Sequence, residues 1–130
     1  MAFPTDLSHF TAAEFNHPDL MDPSFLRWLD RVRHLAGVPF QITNDARLSG
    51  DNPMGSVTKS LHKRGRAVDL RSTDWTVAQK WKVLAAVVQL APDAPGKVEL
   101  EAVFSGTDKH WHLGVDDAAG AQHEFIESDE

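Results

Sequence analysis

The chain has 130 residues, 42% hydrophobic and 25% charged, values near globular averages, so one domain with a real core is expected over residues 1–130. A formal net charge of −6, with no basic arm or stripe, argues against nucleic acid as a partner. Cysteine is absent, which excludes disulfides and thiolate zinc sites and leaves histidine and carboxylate to hold any metal.

The opening "MAFPTDLSHF" has neither a basic leader nor an apolar run, so no secretory signal is expected there. In "SHFTAAEFNH", Thr11 followed by Glu14 is a capping-box pattern that predicts a short helix. A longer helix follows in "MDPSFLRWLDRVRHLAGVPF", with Asp22 as cap, Pro23 at the first position and Gly37 at the exit. Its inward stripe is Phe25, Leu29, Val32 and Ala36. "VPFQIT" reads as a short strand, and the turn-rich "LSGDNPMGSVTK" as an exposed loop. "GRAVDLRS" returns to strand, sending Ala67 and Asp69 to one face and Val68 and Leu70 to the other.

A second helix is expected in "STDWTVAQKWKVLAAVVQLA", with Val77, Trp81, Leu84 and Val88 inward, ended by "APDAPG". Its most apolar stretch is about half of the ~20 residues that span a bilayer, so no transmembrane segment is expected and the chain reads as made in soluble form. "KVELEAVF", "HWHLGV" and "HEFI" read as three strands, the last two joined by a turn at "DDAAG", before a frayed tail over 127–130. The order predicts a single α+β domain with one central antiparallel sheet and flanking helices. Oligomeric state is left open.

Seven histidines are unevenly placed. His9, His17, His34 and His123 stand alone in sequence and suggest surface or capping roles. In "HWH", strand alternation puts His110 and His112 on one face. With His62 and Asp69 of "KSLHKRGRAVDL", one histidine of this pair would complete a set of two imidazoles and one carboxylate, a zinc set that leaves a fourth position for water. Gly65 would let the chain reverse so that His62 and Asp69 converge. The competing reading is a surface turn in which Asp69 pairs with Arg66 or Arg71, contributing about 0–1 kcal/mol.

"SLHKRGRAVD" resembles the Ser-x-His-x-x-Gly-x-Ala-x-Asp signature of the zinc D-alanyl-D-alanine peptidases, a group that includes vancomycin-resistance dipeptidases, phage endolysins and, by fold, the hedgehog signalling domain. Ser60, His62, Gly65, Ala67 and Asp69 fit it, with "HWH" about forty residues later. "FTAAEF", "RHLAGVPFQIT" and "ARLSGDNPMGSVTKS" are similar to the phage and prophage branch, where an arginine and an asparagine commonly precede the signature. The resemblance spans about residues 9–116.

The resemblance implies one zinc ion on His62, Asp69 and His112, with His110 facing the substrate or supporting the ligands. Ser60 would steady the turn, and Arg47 would bind or polarise a substrate carbonyl. The implied activity is hydrolysis of peptidoglycan peptides by zinc-activated water, as a D-Ala-D-Ala carboxypeptidase or an L-Ala-D-Glu endopeptidase. A phage- or prophage-encoded protein acting on the cell wall follows from the same likeness.

One position departs from the pattern. The acidic base usually three residues before the last zinc histidine is Lys109 here. Asp108, one residue further back, could serve through a small bulge, with Glu101, or less readily Glu99, in reserve. Without a working base, the chain would be a non-catalytic zinc-binding module or virion component.

Overall fold

In the computed structural model, which describes residues 3–45, 64–103, 110–117 and 123–127, the first long helix, α1, runs Pro23–Ala36. It begins as its sequence asks: Asp22 Oδ1 accepts from Ser24 N at 2.8 Å, and Pro23 occupies the first turn, where a missing N–H costs nothing. It ends at Gly37, whose φ of 64° is left-handed. All four expected inward residues are buried, joined by Leu26 and Trp28. Upstream, the predicted short helix is a 3-10 turn, Ala12–Glu14, with the Glu14 carboxylate accepting from Thr11 N at 2.7 Å.

The five strands are β1 (Ile42–Asn44), β2 (Ala67–Arg71), β3 (Lys97–Ala102), β4 (His110–Asp116) and β5 (Glu124–Glu127), in the order β1-β2-β4-β3-β5. The second long helix, α2 (Val77–Leu90), lies between β2 and β3 in sequence and packs against α1. The domain is α+β, but its sheet is mixed. β5 pairs in parallel with β3, whereas a hairpin with β4 and a wholly antiparallel sheet were expected. Both flanks of β4 are already taken, by β2 and β3, so the last strand can join only at an edge.

The buried face of α2 also differs from expectation. Val77, Trp81 and Val88 are exposed, and Lys80, Val83, Ala86, Val87 and Leu90 are buried. The helix is apolar on nearly all sides, so periodicity could not choose between two adjacent stripes. One contact that fixes the choice is long-range: Trp28 Nε1 donates to the Leu90 carbonyl at 2.8 Å.

Val68 and Leu70 of β2, Trp111, Leu113 and Val115 of β4, and Val98, Leu100 and Ala102 of β3 form one core with the helices. Strand alternation therefore leaves Asp69, His112 and Glu101 on the opposite face. A buried arginine braces this arrangement. Arg66 donates from Nε to Val115 O at 2.9 Å, from Nη1 to Asp22 Oδ2 at 2.5 Å and from Nη2 to Pro95 O at 2.7 Å. Partial burial pushes the Asp22 carboxyl up. Hydrogen bonds from Ser24 and Arg66 and the guanidinium charge outweigh it and hold the group below its ordinary 3.8.

Gly65 sits just before β2 with a φ of 70°. A Cβ there would lie 2.0 Å from the Leu20 carbonyl oxygen, and its own carbonyl accepts from Asp22 N at 2.9 Å. The glycine is thus required twice over, for its backbone conformation and for this close approach. Among the described residues, no helix is long and apolar enough to cross a membrane.

Candidate metal centre

Asp69 and His112 are Cα partners across β2 and β4, although 43 positions separate them in the chain. In-register neighbours extend the pair into a row across the sheet. Asn44 stands beside Asp69, Glu101 opposite His112, and Ile126 opposite Glu101. Cross-strand neighbours of this kind have Cβ atoms about 4.5–5.5 Å apart.

The residue between the two strand histidines anchors them. Trp111 is fully buried on the core side, its Nε1 donating to Val103 O at 2.9 Å and its ring set edge-on to Trp75 with centroids 5.3 Å apart. With tryptophan fixed inward, alternation turns both imidazoles to the opposite face. His112 is 7% exposed, and its Nε2 is sealed from solvent. Nδ1 is the nitrogen turned to the carboxylate, 3.2 Å from Asp69 Oδ1. The other oxygen, Oδ2, accepts from Asn44 Nδ2 at 3.3 Å.

The 3.2 Å contact is a hydrogen bond, and its length is also compatible with two ligands of one zinc ion. Tetrahedral ligands at bond lengths of about 2.0–2.2 Å lie about 3.3 Å from one another, close to the observed nitrogen–oxygen separation. The donor set, one imidazole and one carboxylate already hydrogen-bonded by an amide, is also chemically suited to zinc. The two arginines named as alternative partners of Asp69 have other carboxylates beside them. Arg66 pairs with Asp22, and Arg71 pairs with Asp74 at 3.3 Å.

Among the described residues no group of three histidine or carboxylate side chains is gathered around one point. The third expected ligand, His62, lies outside the described residues, as do Ser60, Arg47, Asp108 and Lys109. His110 is exposed and is the Cα partner of Arg71. Glu101 is exposed, directly opposite His112 on β3. Glu99 is one row away, opposite Gly114, with Lys97 Nζ 3.6 Å from its Oε2.

Sequence reasoning missed Asn44 altogether, because its link to Asp69 spans 25 positions and no local pattern marks it. The four other histidines do structural work and are not isolated. His9 Nε2 and His34 Nδ1 share a hydrogen bond at 2.9 Å in the lining of a cavity of about 400 Å³ to which Asp69 does not contribute. His17 occupies the position before the 3-10 turn Pro18–Leu20 without a side-chain capping bond, and its backbone N–H donates to buried Asp45 at 2.9 Å. His123 Nδ1 accepts from Val98 N at 3.0 Å.

No family model, curated protein or solved structure matches this chain.

Proposed function

We propose that the chain is a zinc-dependent peptidase that hydrolyses peptidoglycan peptides, with the fold of the hedgehog and D-alanyl-D-alanine peptidase group. The observation that carries this reading is the pairing of Asp69 with His112. The last position of a ten-residue signature and the second histidine of a distant His-x-His meet at 3.2 Å on one sheet face. Their in-register position on neighbouring strands supports a built site rather than a chance surface contact.

Asp69, His112 and His62 would hold one zinc ion. Bound there, zinc would supply Lewis acidity toward a scissile carbonyl and make water acidic enough to lose a proton near neutral pH. The remaining work falls to side chains. A carboxylate must take that proton and return it to the leaving amine. Asp108 is favoured by its nearness in sequence to the usual base position, and Glu101 by its place opposite His112. The register favours Glu101, since no bulge is needed to bring it to the row. His110 and Arg47 would donate to the carbonyl oxygen as negative charge develops on it.

The substrate bond is either the terminal one of a D-Ala-D-Ala stem or an L-Ala-D-Glu linkage. Lys109, standing where relatives of this signature carry an acid, favours a second reading, a zinc-binding module or virion component that keeps the ligands without cleaving. One experiment separates them. Protein purified without chelator is assayed for zinc, then incubated with purified cell wall, and the soluble fragments are identified by mass spectrometry. Stoichiometric zinc with release of D-alanine or cut stem peptides supports the peptidase. Zinc without any release supports the binding module, and absence of zinc overturns both.

A further inference from the structure

The outward face of α2 has the wrong composition for a solvent face. Apart from Lys82 and Gln89, its exposed residues are Val77, Ala78, Trp81, Ala85 and Val88, in a chain that is 25% charged overall. Val77 is 60% exposed, Trp81 57% and Val88 49%. The surface continues onto the edge strand: Phe125, 41% exposed and the Cα partner of core-facing Leu100, shares with Trp81, Leu84, Leu100 and Ala102 the lining of a cavity of about 190 Å³. Together Val77, Ala78, Trp81, Ala85, Val88 and Phe125, with the exposed part of Leu84, present roughly 500 Å² of apolar surface, so a symmetric pair would bury on the order of 1,000 Å², the lower limit for a specific interface.

The spacing suits a second copy of the same helix as occupant. Val77, Trp81, Leu84 and Val88 follow the alternating four-three-four step of a helix-packing seam. The seam is also symmetric about the midpoint between Lys82 and Val83. Val77 and Val88 are equally far from that point, as are Trp81 and Leu84. An antiparallel copy of the same helix therefore sets Val77 against the second copy's Val88 and Trp81 against the second copy's Leu84. Ala78 and Ala85, beside the seam, leave room for the two helices to approach. A two-fold interface must be complementary to itself, and this stripe meets that condition.

We propose that the chain forms a two-fold dimer through the outer face of α2, flanked by Phe125 of β5. This surface is lined by none of the residues assigned to zinc or hydrolysis, so the proposal stands or falls independently of them.

Sedimentation equilibrium of the full chain over a wide concentration range tests it. The expected result is a reversible monomer–dimer equilibrium that Trp81→Glu or Val88→Glu weakens on the order of tenfold or more. Leu35→Glu, on the exposed side of α1, should leave that equilibrium unchanged, with circular dichroism reporting the fold of each variant. Because the chain has no cysteine, the double variant Ala78→Cys/Ala85→Cys provides a check of direction. Oxidation should link residue 78 of one copy to residue 85 of the other, seen as a cross-linked peptide by mass spectrometry. A monomer at every concentration, or a dimer indifferent to both glutamate variants, overturns the proposal.

Discussion

Asn44 reaches from β1 to Asp69, with its side-chain amide 3.3 Å from Oδ2, while Oδ1 of the same carboxylate lies 3.2 Å from His112 Nδ1. The carboxylate is thus held from two strands at once. A group that orients a ligand commonly changes metal affinity about 10–100-fold when removed. With Asp69 as the proposed zinc ligand, Asn44→Ala is therefore expected to lower zinc affinity about tenfold, measured by competition with a chromophoric chelator. Unchanged affinity in a folded variant would mean that the amide does not orient Asp69.

The choice of base is decided by paired substitutions. For the proposed hydrolysis, Glu101→Gln is expected to reduce kcat on the order of 10²–10⁴-fold, the usual range for a general base. Zinc content should stay unchanged, because the proposed ligands are His62, Asp69 and His112 and not Glu101. If Asp108→Asn abolishes turnover while Glu101→Gln is harmless, the base is the residue nearer in sequence.

Two glycines with similar backbone angles should respond differently to alanine. Gly37 and Gly65 have φ of 64° and 70°, but a Cβ on Gly37 meets nothing within 4 Å, whereas one on Gly65 meets backbone at 2.0 Å. Gly37→Ala should cost about 1–2 kcal/mol, the conformational penalty alone. Gly65→Ala should cost more, because the loop must also move off Leu20. Urea midpoints of the two variants give the comparison directly. Equal losses would mean that the seat of Gly65 yields easily.

Acid should weaken the brace at Asp22. Its carboxyl is held below 3.8 in the fold, so the unfolded chain takes up the proton first as pH falls. The stabilisation is present above about pH 4 and is lost as pH drops through the folded value. Asp22→Asn should flatten this part of the stability profile between pH 5 and 3, followed by urea unfolding at each pH. A profile identical to that of the parent chain would show that other carboxylates govern acid sensitivity.

Where local chemistry decides, the sequence was readable. The Asp22 cap, Pro23 and Gly37 announced α1 and its ends, and the buried positions followed from one clear stripe. In α2 the reading failed because apolar residues lie on nearly every side, and the rotation depends on contacts such as the Trp28 bond to a carbonyl 62 positions away. The parallel placement of β5 was equally hidden: "DDAAG" looks like a hairpin turn, and nothing local reveals that β4 has no free edge. At the candidate centre, alternation put Asp69 and His112 each on the correct face of its strand. That Glu101 and Asn44 complete their row could be learned only from the register.

The separation of Asp69 from His112 along the chain has a consequence for when binding can begin. The two strands that carry them touch only after α2 and β3, which lie between them in sequence, have been made. A nascent chain that has not yet extruded β4, or a proteolytic fragment cut before it, lacks half of this pair. Capture of an ion by both residues would accordingly be a late event in the life of the polypeptide, acting as a latch on a finished sheet rather than as a seed for it.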